Sequence, residues 1–288
     1  MWYYITGDGV TYPLELKNNR WIYGVEGTGM AAIEWVTQRG PFQHGETISD
    51  YFLRPRTIQF LMRAVSYCGQ TYWALREDLL DVFRPNRGDG TLRYITASGT
   101  IRDIKANILQ GPDFPQPIDR SWDHWSIDTV VRLIAHDPIF YNPVIKSLTA
   151  AVYGGLTFPI TFPITFTASG FTTYINYLGN WLTHPTFVLT GPFQTPIITN
   201  VTTSETITLA YTAAIGETVT ISLQYGAKSI ISDVTGSLLG YLTSTSDLAT
   251  FHLNPGINQL VISATGTGGG TNIVAYWYDR YIGLGGLE

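Results

Sequence analysis

The chain has 288 residues, of which 44% are hydrophobic and only 14% charged, so it can fill one large core or two ordinary ones and is not a disordered tail. Its net charge of −5 argues against a nucleic-acid binder, which needs Lys and Arg to displace phosphate counterions. The single cysteine, Cys68, excludes an internal disulfide and suits a reducing compartment. No apolar run approaches membrane-spanning length. The opening MWYYITGDGV lacks the basic leader and long apolar core of a signal peptide, so the expectation is synthesis in the cytoplasm without membrane insertion.

In chain order, the Trp and Tyr residues near the start are expected to anchor a first core. RTIQFLMRAV (56–65) and WSIDTVVRLIAH (125–136) read as strands, although neither alternates cleanly. Between them TYWALREDLLDVF places apolar residues at 72, 75, 79, 82 and 83, a helical spacing, and Pro85 with the NRGDG turn stops it. One amphipathic helix is therefore predicted near 70–84, packed across a sheet.

The composition then changes. Residues 1–150 carry 15 Lys+Arg against 16 Asp+Glu, whereas residues 151–288 carry 2 against 6 and are rich in Thr, Gly and Ile. Just past that change lies TFPITFPITF (157–166). In an extended chain Phe158, Ile160, Phe162, Ile164 and Phe166 share one face, and Pro159 and Pro163 remove donors from one edge only. The stretch reads as an edge strand or rigid connector. The division predicted is 1–145 for an N-terminal domain, 146–168 for the proline-containing connector and 169–288 for a C-terminal domain.

The C-terminal part alternates throughout. ETVTISLQYG places Val219, Ile221, Leu223 and Tyr225 on one face; ETITLAY, NQLVISATG and NIVAYWYDRY alternate similarly between Gly, Pro and Asn turns. Many short alternating strands predict an antiparallel sandwich or barrel.

Chemistry is hard to find. There is no HExxH, CxxC, Walker loop or GxSxG elbow. Cys68 reads as a buried thiol. Asp119, Asp123, His124 and Asp128 cluster in sequence, but in an extended strand Asp123 and His124 point to opposite faces, so no metal site is assigned. His136 and Asp137 before Pro138 read as a strand-ending turn. GTGGGT (266–271) lacks the strand–loop–helix context of a phosphate loop and is expected to be a flexible hairpin loop. Arg87-Gly88-Asp89 matches an adhesion tripeptide within a turn, and Asn200 opens an NVT glycosylation sequon expected to be idle. No catalytic, cofactor-binding or metal-binding residue is assigned, no cofactor is expected, and the chain is not read as an enzyme.

Several segments together resemble the distal tail protein family of long-tailed, siphovirus-type bacteriophages. They are RGPFQHGETISDYFLRPRTIQF, NRGDGTLRYITASGTIRDI, VRLIAHDPIFYNP, GGLTFPITFPITF, NYLGNWLTHPTFVLTGP, LTSTSDLATFHLNPGINQLVIS and YWYDRYIGL, in that order over nearly the whole chain. The resemblance implies a mainly β protein: an N-terminal β-sandwich or split-barrel-like domain with one α-helix, and a C-terminal galectin-like antiparallel β-sandwich. It further implies a structural hub at the virion's tail tip, a hexameric ring of N-terminal domains joining tail tube to baseplate. Implied partners are the tail tube protein, a tail-associated tip protein, the tape-measure protein and receptor-binding proteins, with DNA passing through unbound. It assigns no interface residue. The alternative is a carbohydrate-binding β-sandwich module for host-surface adhesion, for which Tyr276 and Tyr278 are the candidate platform. Against it, Val274, Tyr276 and Tyr278 alternate with Ile273, Ala275 and Trp277, a strand apolar on both faces and so read as buried on both sides.

Overall fold

A computed structural model describes residues 1–15, 20–65, 72–114, 126–151 and 169–285. Cys68, Asp119, Asp123, His124 and the whole of TFPITFPITF lie outside the described residues. Among the described residues the fold is mainly β with one α-helix, the class expected. The chain divides into two compact units, Met1–Pro143 with Tyr281–Glu288, and Val144–Arg280. The expected assignment of everything from 169 onward to one domain thus differs at its end, because the residues from Tyr281 pack with the first unit.

The first unit is a two-sheet sandwich. One sheet runs Thr11–Pro13, Trp2–Ile5, Thr91–Ile95, Ile101–Lys105 and Phe140–Tyr141, in that spatial order. The other runs Arg20–Glu26, Arg56–Val65, Ser126–Ala135 and Asn107–Asp113, antiparallel throughout. Period-two burial explains it: Ile58, Phe60, Met62 and Ala64 point inward with Val131, Leu133 and Ala135, against Tyr4, Leu92 and Ile104 from the facing sheet. The imperfect alternation of RTIQFLMRAV comes from Leu61, an apolar residue on the outward row.

The helix spans Tyr72–Val82, within the predicted 70–84. Leu75, Leu79, Val82 and Phe83 are buried, as their spacing requires, and Trp73 and Leu80 are exposed. Pro85 opens a short 3-10 turn, Pro85–Arg87, that ends at Gly88.

The second unit is an antiparallel β-sandwich. One sheet orders Lys146–Ala151, Asn272–Trp277, Thr186–Thr190, Thr218–Ser222, Ser229–Ser232 and Gly236–Ser237; the other orders Ser169–Tyr177, Gly256–Thr265, Phe193–Asn200 and Glu205–Thr208. Ile175, Tyr177, Phe187, Leu189, Ile198, Val219, Ile221, Leu260, Ile262, Ile273 and Ala275 fill the space between them. Threonines on the alternate positions explain the Thr-rich composition, because a β-branched side chain suits a pleated surface.

Two expectations are corrected here. Tyr225 does not continue the inward row of Val219, Ile221 and Leu223: the strand ends at Ser222 and Tyr225 is exposed in the following turn. GTGGGT is not a hairpin loop, because the strands it joins, Gly256–Thr265 and Asn272–Trp277, belong to different sheets. Gly179 is required by close approach: a Cβ there would lie 2.1 Å from the Tyr177 hydroxyl, which donates to the Trp181 carbonyl at 2.5 Å and accepts from the Arg280 amide at 2.8 Å.

His184 is a buried polar residue of this unit. Its Nδ1 is 2.8 Å from the Phe251 carbonyl oxygen and so carries the proton, which leaves Nε2 buried without a hydrogen-bond partner. Burial, with Lys228, Arg280 and His252 nearby, lowers its pKa from 6.5 to about 4, against the smaller opposing effect of the Phe251 bond. Between those values the unfolded chain binds the proton and the folded one does not, so stability falls as pH drops from 6.5 towards 4 and this group adds no further loss below. The loss approaches roughly 3 kcal/mol at the acid end. Urea unfolding at pH 7 and pH 4.5 should show it, and His184→Gln should flatten the difference; an equally steep pH dependence in the variant refutes the assignment.

Candidate functional site

Two features of the first unit stand out. The first is the four-stranded sheet. Its outer strands, Arg20–Glu26 and Asn107–Asp113, each pair on one side only among the described residues, which leaves a row of backbone donors and acceptors open at either edge. Its outward face is ordered by cross-strand register. One row aligns Trp21, Arg63 and Asp128, and another aligns Glu26, Gln59, Arg132 and Gln110. Arg63 binds Asp128 with both ends of its fork, at 2.6 and 2.8 Å. Arg132 donates to Gln59 at 2.7 Å and to Gln110 at 2.6 Å. The two arginines are balanced by Glu26 and Asp128, so these rows carry no net charge. Trp21 and Tyr23 are exposed at one edge of that face.

The second feature is an arm. Ile33–Gln38 and Thr47–Leu53 pair only with each other, as a two-stranded sheet of their own. Trp35, Val36, Phe42, Ile48, Tyr51 and Phe52 are all exposed on it. Cross-strand stacking of Trp35 on Tyr51, with ring centres 5.7 Å apart, and an exposed Arg54–Glu34 ion pair at 3.0 Å support the ribbon. Its tip is tied by Gln43, which accepts from the Gly40 amide at 2.9 Å and donates to Thr47 at 2.8 Å. A lone two-stranded ribbon is marginal in water, and this one exposes large apolar side chains on both faces, Trp35 and Tyr51 on one and Val36 and Phe52 on the other, an exposure of the kind that marks an interface. Sequence reasoning did not single out this arm. The signal was present in EWVTQRGPFQHGETISDYF, two runs with large apolar side chains around a Gly–Pro turn, but nothing in a local pattern says that a hairpin lacks a third layer.

The residues considered for chemistry are not brought together. Asp128 is committed to Arg63, not to a metal. Asp137 sits in a bend where its carboxylate accepts from the Ile139 amide at 3.3 Å, the turn expected. The adhesion tripeptide is not presented, because Arg87 is held by Asp81 and Tyr12. Asn200 is fully buried, donates to the His252 carbonyl at 2.8 Å and accepts from the Thr202 amide, which rules it out as a glycan acceptor. Tyr276 and Tyr278 are half-buried, opposite buried Ile273, Ala275 and Trp277, so neither offers an open stacking face. The one cluster that sequence missed is His184, His252 and Glu205. There His252 sits 3.2 Å from Glu205 and lies against His184 at a ring separation of 6.4 Å. Among the described residues no group of three or more His, Cys, Asp or Glu is placed to hold a metal ion. No described helix is long and apolar enough to cross a membrane.

Residues 178–281 match the family model of the siphovirus-type tail component, C-terminal domain. The fold matches the crystal structure of the phage SPP1 Dit protein, described as a paradigm of hub adsorption apparatus in phages infecting Gram-positive hosts. That match covers 97% of this chain and 99% of that one, at 14% identity and a TM-score of 0.64. A chain of the phage P2 baseplate in its activated conformation with calcium aligns over 98% of both chains at 9% identity and a TM-score of 0.47. No curated protein sequence matches the chain. The resemblance read from the sequence is thereby borne out at the level of the fold, which is that of the SPP1 Dit protein, with residues 178–281 matching the siphovirus-type tail component domain.

The arm generates a direct test. Replacing Ile48 and Phe52 together by Ser removes two exposed apolar anchors without touching either core or the Trp35–Tyr51 pair. Circular dichroism and melting should stay as in the parent, whereas self-association weakens by an order of magnitude or more, as loss of two buried anchors does. Unchanged self-association, read by sedimentation velocity, refutes the arm as an interface.

Proposed function

We propose that this chain is the structural hub of a bacteriophage tail tip and assembles as a closed hexameric ring that joins the tail tube to the baseplate around a channel for the genome. The observation that carries this reading is the fold match over nearly the full length of both chains, with the tail component domain inside it. The open-edged sheet gives it a physical basis. Edge-to-edge pairing of Arg20–Glu26 on one copy with Asn107–Asp113 on the next is a heterologous contact, and such contacts end in a ring when the rotation closes. Closure satisfies every edge, which an open chain of copies leaves exposed.

The sheet's outward face, turned to the channel, suits a conduit. Each phosphate neutralised by a free Lys or Arg adds salt-sensitive affinity, and a passage for DNA must not hold it. Here Arg63 is paired with Asp128, and the charge of Arg132, which two neutral glutamines hold in place, is offset by Glu26 in the same cross-strand row. In this reading the tail tube protein and a tail-associated tip protein take the two faces of the ring. The tape-measure protein and the genome pass through it, and receptor-binding proteins attach at the tip. No enzymatic step is assigned, and no observation favours the carbohydrate-binding alternative.

Two measurements test this. Light scattering should give six times 32.0 kDa, in the presence of the tail tube protein if the isolated chain does not close. Filter binding with duplex DNA at physiological salt should show no retention. A chain that stays monomeric beside its tube partner eliminates the ring, and tight DNA retention eliminates the conduit.

A further inference from the structure

Arg56 follows the descending leg of the arm and is only 3% exposed. A guanidinium stays charged in a protein, and a buried charge normally finds a carboxylate. This one does not: its hydrogen bonds all go to main-chain carbonyls. Nε donates to Pro138 at 2.9 Å, one terminal nitrogen donates to Gly27 at 3.0 Å and to Gly29, and the other donates to Ile282 at 2.6 Å. The ring of Phe140 lies 4.9 Å beneath it. Burial pushes its pKa down.

Those carbonyls come from three separate stretches, and two of them matter for the arm. Gly27 and Gly29 precede its ascending leg. Ile282 belongs to the segment that returns from the second unit, and two residues on the Leu284 amide donates to the Thr28 carbonyl at 3.1 Å. Gly283 lies between these contacts, so close that a Cβ there would be 2.8 Å from the Gly29 oxygen. The arm's base is closed by the Arg54 amide donating to Ala32 at 2.8 Å. No residue of either arm strand belongs to the unit's hydrophobic core. The direction of the arm is therefore set at its root.

We propose that residues 282–284 form a strap which, clamped through Arg56 to Gly27 and Gly29, holds the arm in its assembly-competent direction, so that releasing the strap releases the arm. This rests on reading the arm as an assembly element, but it makes a separate claim about what positions it.

The test uses the full chain and amide hydrogen exchange read by NMR. Gly283→Ala pushes the strap off Gly29 and leaves Arg56 intact; Arg56→Met keeps the side-chain length and removes the fork. In both, the Leu284 and Arg54 amides should exchange faster together, on the order of three- to tenfold for hydrogen bonds of ordinary strength. Met62 and Leu133, in the sheet core, should be unchanged, and self-association should fall. If Arg56→Met fails to fold, Gly283→Ala alone decides. A freed Leu284 amide beside an unchanged Arg54 amide overturns the proposal, as does full self-association of Gly283→Ala with its strap released. If the two amides move together but the parent chain stays monomeric even beside the tail tube protein, the strap stands and the ring reading falls.

Discussion

Unpaired backbone at the edge of a sheet is the constraint from which the organisation of the first unit follows. Every N–H and C=O must find a partner or water, and a sheet of finite width always leaves two edges. The four-stranded sheet leaves both of its edges unpaired among the described residues, and its outward face carries ordered cross-strand rows without net charge. Such a sheet is stable in the monomer because Ile58, Phe60, Met62, Val131 and Leu133 are buried behind it. What it lacks is lateral partners, and identical copies of the same chain can supply them.

The arm obeys a different balance. Core strands are held by apolar burial, and the ribbon at Ile33–Gln38 and Thr47–Leu53 has none beyond its own cross-strand contacts. Its large apolar side chains face water at a cost that only a partner surface recovers. Its root is nevertheless well defined, because one buried guanidinium draws carbonyls from distant stretches to itself. Removing such a group leaves several buried acceptors unsatisfied at once, so its influence exceeds that of any one hydrogen bond it makes. The second unit is held together differently. It is a self-sufficient sandwich whose few buried polar groups, among them Glu217 bonded to Tyr211, Ser232 and the Ala214 amide, stitch turns to strands.

Much of this was legible before any coordinates. The helix was readable because Leu75, Leu79 and Val82 recur with the helical period and Pro85 ends the pattern. The C-terminal sandwich was readable because Val219 and Ile221, or Ile273 and Ala275, sit two residues apart between turn formers. The errors arose where local pattern and global path part company. Tyr225 carries the alternation one step beyond a strand that has already turned, and GTGGGT connects two strands that pair with others instead of with each other.

Residue types and their spacing determined the class of the fold, the lack of the familiar catalytic motifs, the composition change between the two parts and the resemblance to a tail hub, because each depends on local chemistry or on an ordered set of segments. Tertiary structure alone decided which apolar residues stay exposed, which carboxylate balances Arg63, and that Arg56 gathers Gly27, Gly29, Pro138 and Ile282. The reason is distance along the chain: Arg56 and Ile282 are 226 residues apart, and no periodicity of two or of 3.6 relates positions so remote. A surface that waits for a partner is likewise invisible locally, because exposure is a property of what the rest of the chain fails to cover.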